Sequence, residues 1–507
     1  MSGYQRYSAW SLLKAAMTPQ TPWRRMWPRS DPKDRYEVVI VGAGGHGLAT
    51  AYYLAREHGI SRICVLDRSI VGYGNVGRNT TVVRSNYLLP QNHYFYEDSL
   101  RRWESLSAEL NFNVMYSPRG VIELATSDDE MNRSAQRGNA MRLAGIDAAL
   151  LDRRQLAAFA PEVDLDYPRR YPIIGGLLQR RGGTVRHDAV AWGYARAAAA
   201  HGVDIVENCA VTGLHVAGGV ALGVETERGT IRAERIVFAV AGHTGAIGHL
   251  LGMRLPIETH LLQAAVTEPV KPFLNTVLVY GYAHTEVYLS QSDRGGVVMG
   301  GSLDGFPSYT REGQWSRLEQ VVQGAVALLP QMAGLKLLRH WAGTNDMTMD
   351  GSPIIDRFGY ENVFLNGGWC YGGFKAIPAS GAACARFVAT GTAPDLIRPY
   401  RLSRFHSGHV LDERGMGPFP CLAVVGASME LRCPFCGIRA VSEFNFRSVA
   451  PERKEQPASA LVYERVNNPD CSLEYWQHVE GCRAWLLITR NPSSGRVDDV
   501  RFLVHEA

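Results

Sequence analysis

Apolar and polar positions follow a changing rhythm along this chain, and the first clear change falls between Tyr36 and Asp67, in YEVVIVGAGGHGLATAYYLAREHGISRICVLD. The apolar run up to Val41 reads as a buried strand, the glycines after it as a tight turn, the Ala-rich stretch as a helix, and ICVL as a second strand ending in an acid. Strand, glycine turn, helix and strand form the βαβ unit that holds a dinucleotide. Gly42 allows the turn, Gly44 lets backbone approach a pyrophosphate, Gly47 lets helix and sheet pack closely, and Asp67 accepts from a ribose hydroxyl. The rival reading is a structural turn in a chain with 52 glycines.

Further along, GYGNVGRNTTVVRSNY (Gly72 to Tyr87) is too rich in Gly, Asn and Thr for a helix and reads as backbone laid against a ligand, with Arg78, Asn79 and Thr80 as cofactor contacts. Helices are expected from about Asn92 to Ala108, Ser127 to Leu143 and Trp315 to Leu329. Gly182 to His201 reads as a loop feeding a helix, with Asp188 as its N-cap. Strands are expected at Ala210 to Val216, Val220 to Thr226, Arg235 to Val240 and Val363 to Leu365, and repeatedly from Leu261 to Gly301, where Val, Thr and Tyr suit a substrate-facing sheet. The Arg235 to Val240 strand runs into AGHTGAIG, a second backbone approach that includes Gly242. GGWCYGGFKAIPASGAACARFVATG presents Gly372, Gly373, Phe374 and a helix start, which returns the chain's end to where it began.

With 507 residues, 46% of them hydrophobic and 20% charged, the chain can bury a large core in two or three domains. A net charge of +4 without a long basic run argues against nucleic acid. No signal-peptide stretch and no run of about eighteen apolar residues is visible, so a soluble cytoplasmic protein without a membrane segment is expected. Residues 1–35 form an arm whose Trp10, Trp23 and Trp27 are expected to pack on a neighbouring surface. There is no internal repeat. Residues 411–428 lose periodicity and read as a linker, and Met429 would suit the initiator of a once separate protein.

Cysteine use sets the end of the chain apart. Cys64, Cys209, Cys370 and Cys384 are scattered among apolar or small neighbours, as inert core thiols are, whereas Cys421, Cys433, Cys436, Cys471 and Cys482 fall in the last 87 residues. Cys433-Pro-Phe-Cys436-Gly forms a knuckle whose thiolates turn to one point. After a 41-residue interval, His478-Val-Glu-Gly-Cys482 would put imidazole and thiolate on one face of a helical turn. Three thiolates and one imidazole fit a closed, structural, tetrahedral zinc site. In so small a module, about 10–16 kcal/mol of metal binding could exceed the stability of its core. A redox-active CxxC is the alternative, although no thioredoxin-like pattern surrounds it.

Taken alone, His187 reads as a surface or capping histidine, and Arg84 and Lys375 as two of many solvated cations. A resemblance changes that. From Arg6 to about Asp412 the chain resembles the β subunit of heterotetrameric sarcosine oxidase, through RYSAWSLL, VVIVGAGGHGLATAYYLAREHGI, GNVGRNTTVVRSNY, RHDAVAWGYARAAA, GHTGAIGHLLGMRLPIETHLLQA, YLSQSDRGGVVMGG and RFHSGHVLDE. From Met429 onward, MELRCPFCG and YWQHVEGCRAWL resemble that enzyme's zinc-binding δ subunit, which implies a β–δ fusion.

The resemblance implies a mixed α/β fold of four parts: arm 1–35; domain 36–410, with discontinuous FAD-binding Rossmann-like and antiparallel-sheet substrate subdomains of the D-amino-acid oxidase and glycine oxidase type; linker 411–428; and zinc-binding domain 429–507. It implies noncovalent FAD at the glycine turn, FMN bonded covalently to His187, and a large α and a small γ partner subunit, with NAD and tetrahydrofolate on α. Arg84 and Lys375 would grip the carboxylate of a small N-methyl amino acid, sarcosine first. Oxidation would give glycine and formaldehyde or 5,10-methylenetetrahydrofolate, with electrons passing through FMN to oxygen. The family usually reads CGWGTGGFK where this chain has GGWCYGGFK, and a WGG-type stretch where it has HWAGTNDMTMDGSPIID, so the pocket is expected to differ. N-methylglutamate dehydrogenases share the subunit plan and are the alternative. A non-catalytic flavin-fold and zinc scaffold is the alternative of another class.

Overall fold

The computed structural model describes residues 8–18, 25–282, 285–413, 430–450 and 463–503. Two eight-stranded sheets and a small β-rich C-terminal module organise them. In the first sheet, Arg35–Val41 lies between Ile63–Leu66 and Gly229–Phe238, all parallel, and Asp204–Val206 and Tyr360–Gly367 extend the parallel set at either end. These strands are buried on both faces, which explains their near-continuous apolar runs. Helix Gly45–His58 connects the first two strands and packs against helix Gly373–Thr390. Gly381 faces Ala49 so closely that a Cβ there would stand 2.4 Å from the Ala49 methyl.

The second sheet runs Leu337–Thr348, Ile257–Pro269, Gly296–Leu303, Thr285–Gln291, Val277–Tyr282, Val121–Ala125, Gly175–Gln179, Ala149–Asp152. Its pairs are antiparallel except Val277–Tyr282 with Val121–Ala125. Its other face is covered by helix Trp315–Leu328, whose Leu318, Val321, Ala325 and Leu328 follow the 3.6-residue period and are fully or almost fully buried. Mixed α/β architecture with an antiparallel substrate-side sheet is therefore the observed fold class.

Other expectations are modified. The helix after the Gly182 loop begins at His187, so Asp188 is not its N-cap. Arg186 takes that position, and Asp188 sits in the first turn, accepting from Arg186 at 2.7 and 2.9 Å and from the N–H of Ala189. An acid there is favoured by the exposed N–H groups whether or not it caps. In the arm, Trp27 packs on the nucleotide-domain core while Trp10 is 73% exposed, and Trp23 lies outside the described residues. So do 414–429, which hold most of the expected linker, Met429 and Cys421. The four scattered cysteines are buried free thiols, and burial pushes those of Cys64, Cys370 and Cys384 up to about 12. No helix among the described residues is long and apolar enough to cross a membrane.

Candidate flavin site and metal centre

A cavity of about 480 Å³ opens between the two sheets, within the range of cofactor sites. Of the residues singled out from sequence, Gly42, Gly44, Asp67, Arg78, Asn79, Thr80, Arg84, Gly242, Gly373, Phe374 and Lys375 line it. Gly47, Gly372 and His187 do not.

At one end the glycine turn behaves as its spacing requires. Gly42 has φ +112°, a conformation that disfavours any side chain. A Cβ on Gly47 would fall 2.0 Å from the Gly42 carbonyl oxygen, so this glycine sets how close helix and turn can come. A Cβ on Gly44 would meet nothing within 4 Å. The open face of Gly44 is where a pyrophosphate would lie against the start of helix Gly45–His58. Asp67 accepts from the N–H groups of Ala43 and Ser69, both at 2.8 Å, which fixes the carboxylate at this end of the cavity. Burial raises its pKa against those two bonds and the charge of Arg68.

The opposite end carries the candidate substrate groups. Helix Gly373–Thr390 positions Lys375, whose backbone carbonyl accepts from Ser99 at 2.6 Å and Trp103 at 2.9 Å and whose Nζ donates to the Tyr371 carbonyl at 2.8 Å. Burial, reinforced by Arg84, drives its pKa well below the ordinary lysine value. Arg84 stands 3.4 Å from Glu123 and is bonded to Asn86. Burial alone would weaken its charge, but Glu123, Tyr87 and Glu286 outweigh that and raise its pKa. Arg137 closes on the same Glu123 carboxylate, and the two arginines hold it below the usual range despite its burial.

Sequence reasoning missed several lining groups. Glu286 and Tyr288 face the cavity from strand Thr285–Gln291; the period of two in TEVYLSQ was the available signal. Glu286 has its pKa raised, by burial first and then by Glu123, although the carboxylate is open to the cavity. His46, inside the glycine turn, stacks on Trp369 with centroids 4.6 Å apart, and burial lowers its pKa to about 3. Arg68, His243 and Arg311 line the Asp67 end of the cavity, with Arg68 2.7 Å from His243. Cys370 and Tyr371 were not missed: they fall in the GGWCYGGFK departure expected to alter the pocket, they line the cavity, and the Cys370 sulfur lies 3.3 Å from both the backbone N and the hydroxyl of Thr348.

His187 opens helix His187–Ala200 and does not line the cavity, although the helix packs on the cavity-lining Asn75–Arg78 turn. It is half-buried, with neither ring nitrogen hydrogen-bonded among the described residues. Burial lowers its pKa, Arg186 and Arg339 add to this, and Asp188 opposes it.

In the C-terminal module, Cys433, Cys436, His478 and Cys482 bring their ligand atoms within 4.8 Å of one another. The Cys433 and Cys482 sulfurs are 3.6 Å apart, close to the roughly 3.8 Å edge of a tetrahedron with metal–sulfur bonds of about 2.3 Å. His478 Nε2 lies 3.1 Å from Glu443, which directs Nδ1 towards the thiolates, 3.3 Å from Cys482. The expected helical turn is absent. His478 ends strand Ser472–His478, and a tight loop returns the chain so that the Arg483 and His478 N–H groups bond to His478 and Ala484 carbonyls at 2.8 and 3.0 Å. Antiparallel pairing of Ser472–His478 with Trp485–Arg490 imposes that hairpin, which meets the same spacing as a helix would.

The two-layer fold, glycine turn and enclosed cavity define a flavin-dependent oxidoreductase, and residues 37–387 match the family of FAD dependent oxidoreductases. Residues 430–502 match the sarcosine oxidase delta subunit family. The sarcosine oxidase subunit beta of Rhizobium meliloti (strain 1021) is 51% identical over 417 residues, covering 82% of this chain and all of the relative; that of an Arthrobacter species is 42% identical, covering 79% and 98%. Among solved structures, L-proline dehydrogenase from P. horikoshii superposes with a TM-score of 0.69 at 24% identity, over 76% of this chain and 100% of that one. Glycine oxidase from Geobacillus kaustophilus gives 0.65 at 19% identity, over 73% and 99%. The chain belongs to the sarcosine oxidase β-subunit family and carries a domain of the δ-subunit family in the same polypeptide.

Proposed function

We propose that the chain is the fused β–δ part of a heteromeric sarcosine oxidase, oxidising sarcosine to glycine and formaldehyde, or to 5,10-methylenetetrahydrofolate when a partner captures the carbon. The observation that carries this is the pairing of Arg84 and Lys375 in the flavin cavity of a chain half identical to a sarcosine oxidase subunit beta. The two cations bind the substrate carboxylate by charge-assisted bonds and set the direction of the N-methyl group. Their field also favours the neutral amine, the form from which a hydride equivalent leaves. FAD, held by Gly42, Gly44, Asp67 and the Arg78–Thr80 segment, supplies the two-electron acceptor.

His187 is the attachment point for FMN. Its support is an imidazole without hydrogen-bond partners at a helix start outside the dinucleotide cavity, beside Arg186 and Arg339. A large α subunit then covers this region and carries NAD and tetrahydrofolate, and a small γ subunit completes the assembly. Zinc occupies the Cys433, Cys436, His478, Cys482 set as a structural ion. The domain limits follow as 1–35, 36–410, 411–428 and 429–507.

The departure at Cys370 and Tyr371, both in the cavity wall, keeps an N-methylglutamate dehydrogenase as the second reading. Turnover of the assembled complex with sarcosine and with N-methylglutamate, each with oxygen and with an artificial acceptor, tests both. Sarcosine turnover with oxygen is the expected outcome, and a flavin that stays oxidised with either amine under anaerobic mixing overturns the enzymatic reading. Acid-precipitated protein should keep yellow flavin, and His187→Asn should give a colourless pellet.

A further inference from the structure

Among the described residues the C-terminal module touches the oxidoreductase domain at several places, Tyr463 on Phe405 being one, and three others lead to the adenosine end of the cavity. The first is a clasp on residues 306–309. Phe306 joins the module's own core beside Trp476, their centroids 5.6 Å apart. Arg490, fully buried and paired with Glu474 at 2.7 and 3.1 Å, donates to the Pro307 carbonyl at 2.6 Å. The Tyr309 N–H donates to the Pro492 carbonyl at 2.9 Å. The clasped segment runs directly into cavity-lining Arg311, and the Tyr309 ring lies 5.7 Å from that of His243, which also lines the cavity.

The second place is helix Thr244–Leu250. Arg465 bonds to the Leu255 carbonyl through its N–H at 3.2 Å and to Glu258 through Nε at 2.6 Å. These bonds seat Asn467 on the helix so tightly that a Cβ on Gly245 would fall 2.7 Å from its Cγ. The opposite side of that short helix gives Ala246, Ile247 and Leu250 to the cavity wall. The third place is direct, because Pro469 itself lines the cavity.

The four-ligand set is built into the docking strands. Cys433 and Cys436 belong to the hairpin of Glu430–Cys433 and Gly437–Ala440, while His478 and Cys482 sit at the turn joining Ser472–His478 to Trp485–Arg490. Those two strands carry Glu474, Trp476 and Arg490. A metal ion held by Cys433, Cys436, His478 and Cys482 would tie hairpin to turn and so fix the strands that hold residues 306–309.

We propose that the C-terminal module forms the outer wall of the adenosine end of the dinucleotide cavity, and that its metal governs how firmly the noncovalent FAD is retained. This rests on the flavin and metal assignments above. A structural role confined to the module predicts no effect on flavin. A wall predicts selective loss of FAD.

The test uses the full chain assembled with its partner subunits. Metal is stripped with a chelator and counted by atomic absorption, free FAD is followed by fluorescence after gel filtration, and histidine-linked flavin is read in the acid precipitate. Metal loss should speed FAD release about tenfold or more and leave the linked flavin in place. Arg490→Met and Arg465→Met should do the same without chelator. Val321→Ala, in the core between the second sheet and its covering helix, is the control and should lower thermal stability without hastening FAD release. Unchanged FAD release after metal loss overturns the proposal, as does a complex that holds FAD but no metal. A complex that never contains FAD overturns instead the flavin assignment on which the proposal rests.

Discussion

Nη1 of Arg84 stands 3.4 Å from Oε1 of Glu123, and neither side chain is more than 18% exposed. This cavity-lining arginine is thus held by a carboxylate that is itself shared with Arg137. Its charge and direction are set before any ligand arrives, which leaves Lys375 as the adjustable cation.

Lys375→Met should therefore weaken carboxylate binding without disturbing Arg84. Removing one member of a buried, hydrogen-bonded charge pair costs about 2–5 kcal/mol, so flavin reduction by sarcosine at limiting concentration should slow at least about thirtyfold. An N-methyl amine lacking the carboxylate should be reduced at nearly the same rate by both proteins. Anaerobic stopped-flow absorbance reads both, and equal rates with sarcosine would remove Lys375 from the binding site.

The depressed pKa of Lys375 gives a pH dependence of definite sign. Burial and Arg84 favour the neutral amine, so the charged form is lost as pH rises through a value well below that of ordinary lysine. Affinity for propanoate, which has no amine to titrate, should be full at low pH and fall across that range. Lys375→Arg should move the fall to higher pH. Flavin absorbance changes on titration report the dissociation constants, and a flat profile in the native protein would contradict the assignment.

Glu286 faces the same space from the second sheet, and burial together with Glu123 makes its carboxylate costly to ionise. A second substrate carboxylate there would meet the charge of Glu123, and that of Glu286 to the extent that it is ionised. Glu286→Gln should raise kcat/KM for N-methylglutamate relative to sarcosine by about tenfold, measured side by side. An unchanged ratio would mean that substrate side chains do not reach this residue.

Gly44 and Gly47 should separate cofactor binding from folding. Gly44→Ala has open space for its methyl group and should keep its thermal stability while losing FAD, because the methyl occupies the pyrophosphate's side of the turn. Gly47→Ala drives a methyl into the Gly42 carbonyl and should lower stability itself, by more than about 1–3 kcal/mol. Flavin content and apoprotein melting distinguish the two.

Glu443→Gln should weaken metal binding about 10–100-fold, because the neutral amide orients the His478 ring less firmly than the carboxylate 3.1 Å from Nε2. Competition with a chromogenic chelator measures this, and unaltered affinity would show that the ring is fixed by its stack on Phe444 alone.

Much of the nucleotide-binding half is legible from local sequence, since the strand, turn and helix between Arg35 and Leu66 are each dictated by adjacent residues. The same holds for helices Pro90–Glu109 and Asp128–Leu143, within a residue or two of expectation. What adjacent residues do not encode is who neighbours whom. Strand Gly229–Phe238 lies beside Arg35–Val41, and strand Val277–Tyr282 lies parallel to Val121–Ala125, through contacts more than 150 residues apart in sequence. Glu286 escaped notice for that reason, because only the sheet brings it opposite Arg84 and Lys375. The His478 loop escaped for another: a spacing of four is met equally by a helix and by a hairpin.

The packing of Gly381 on Ala49 joins helices whose first residues are separated by 328 positions. During synthesis, the glycine turn at Gly42 leaves the ribosome long before the helix that must lie against it. A nascent chain cut short before about Thr390 has half a cradle and nothing to close it. Capture of FAD therefore waits until translation has passed about Thr390.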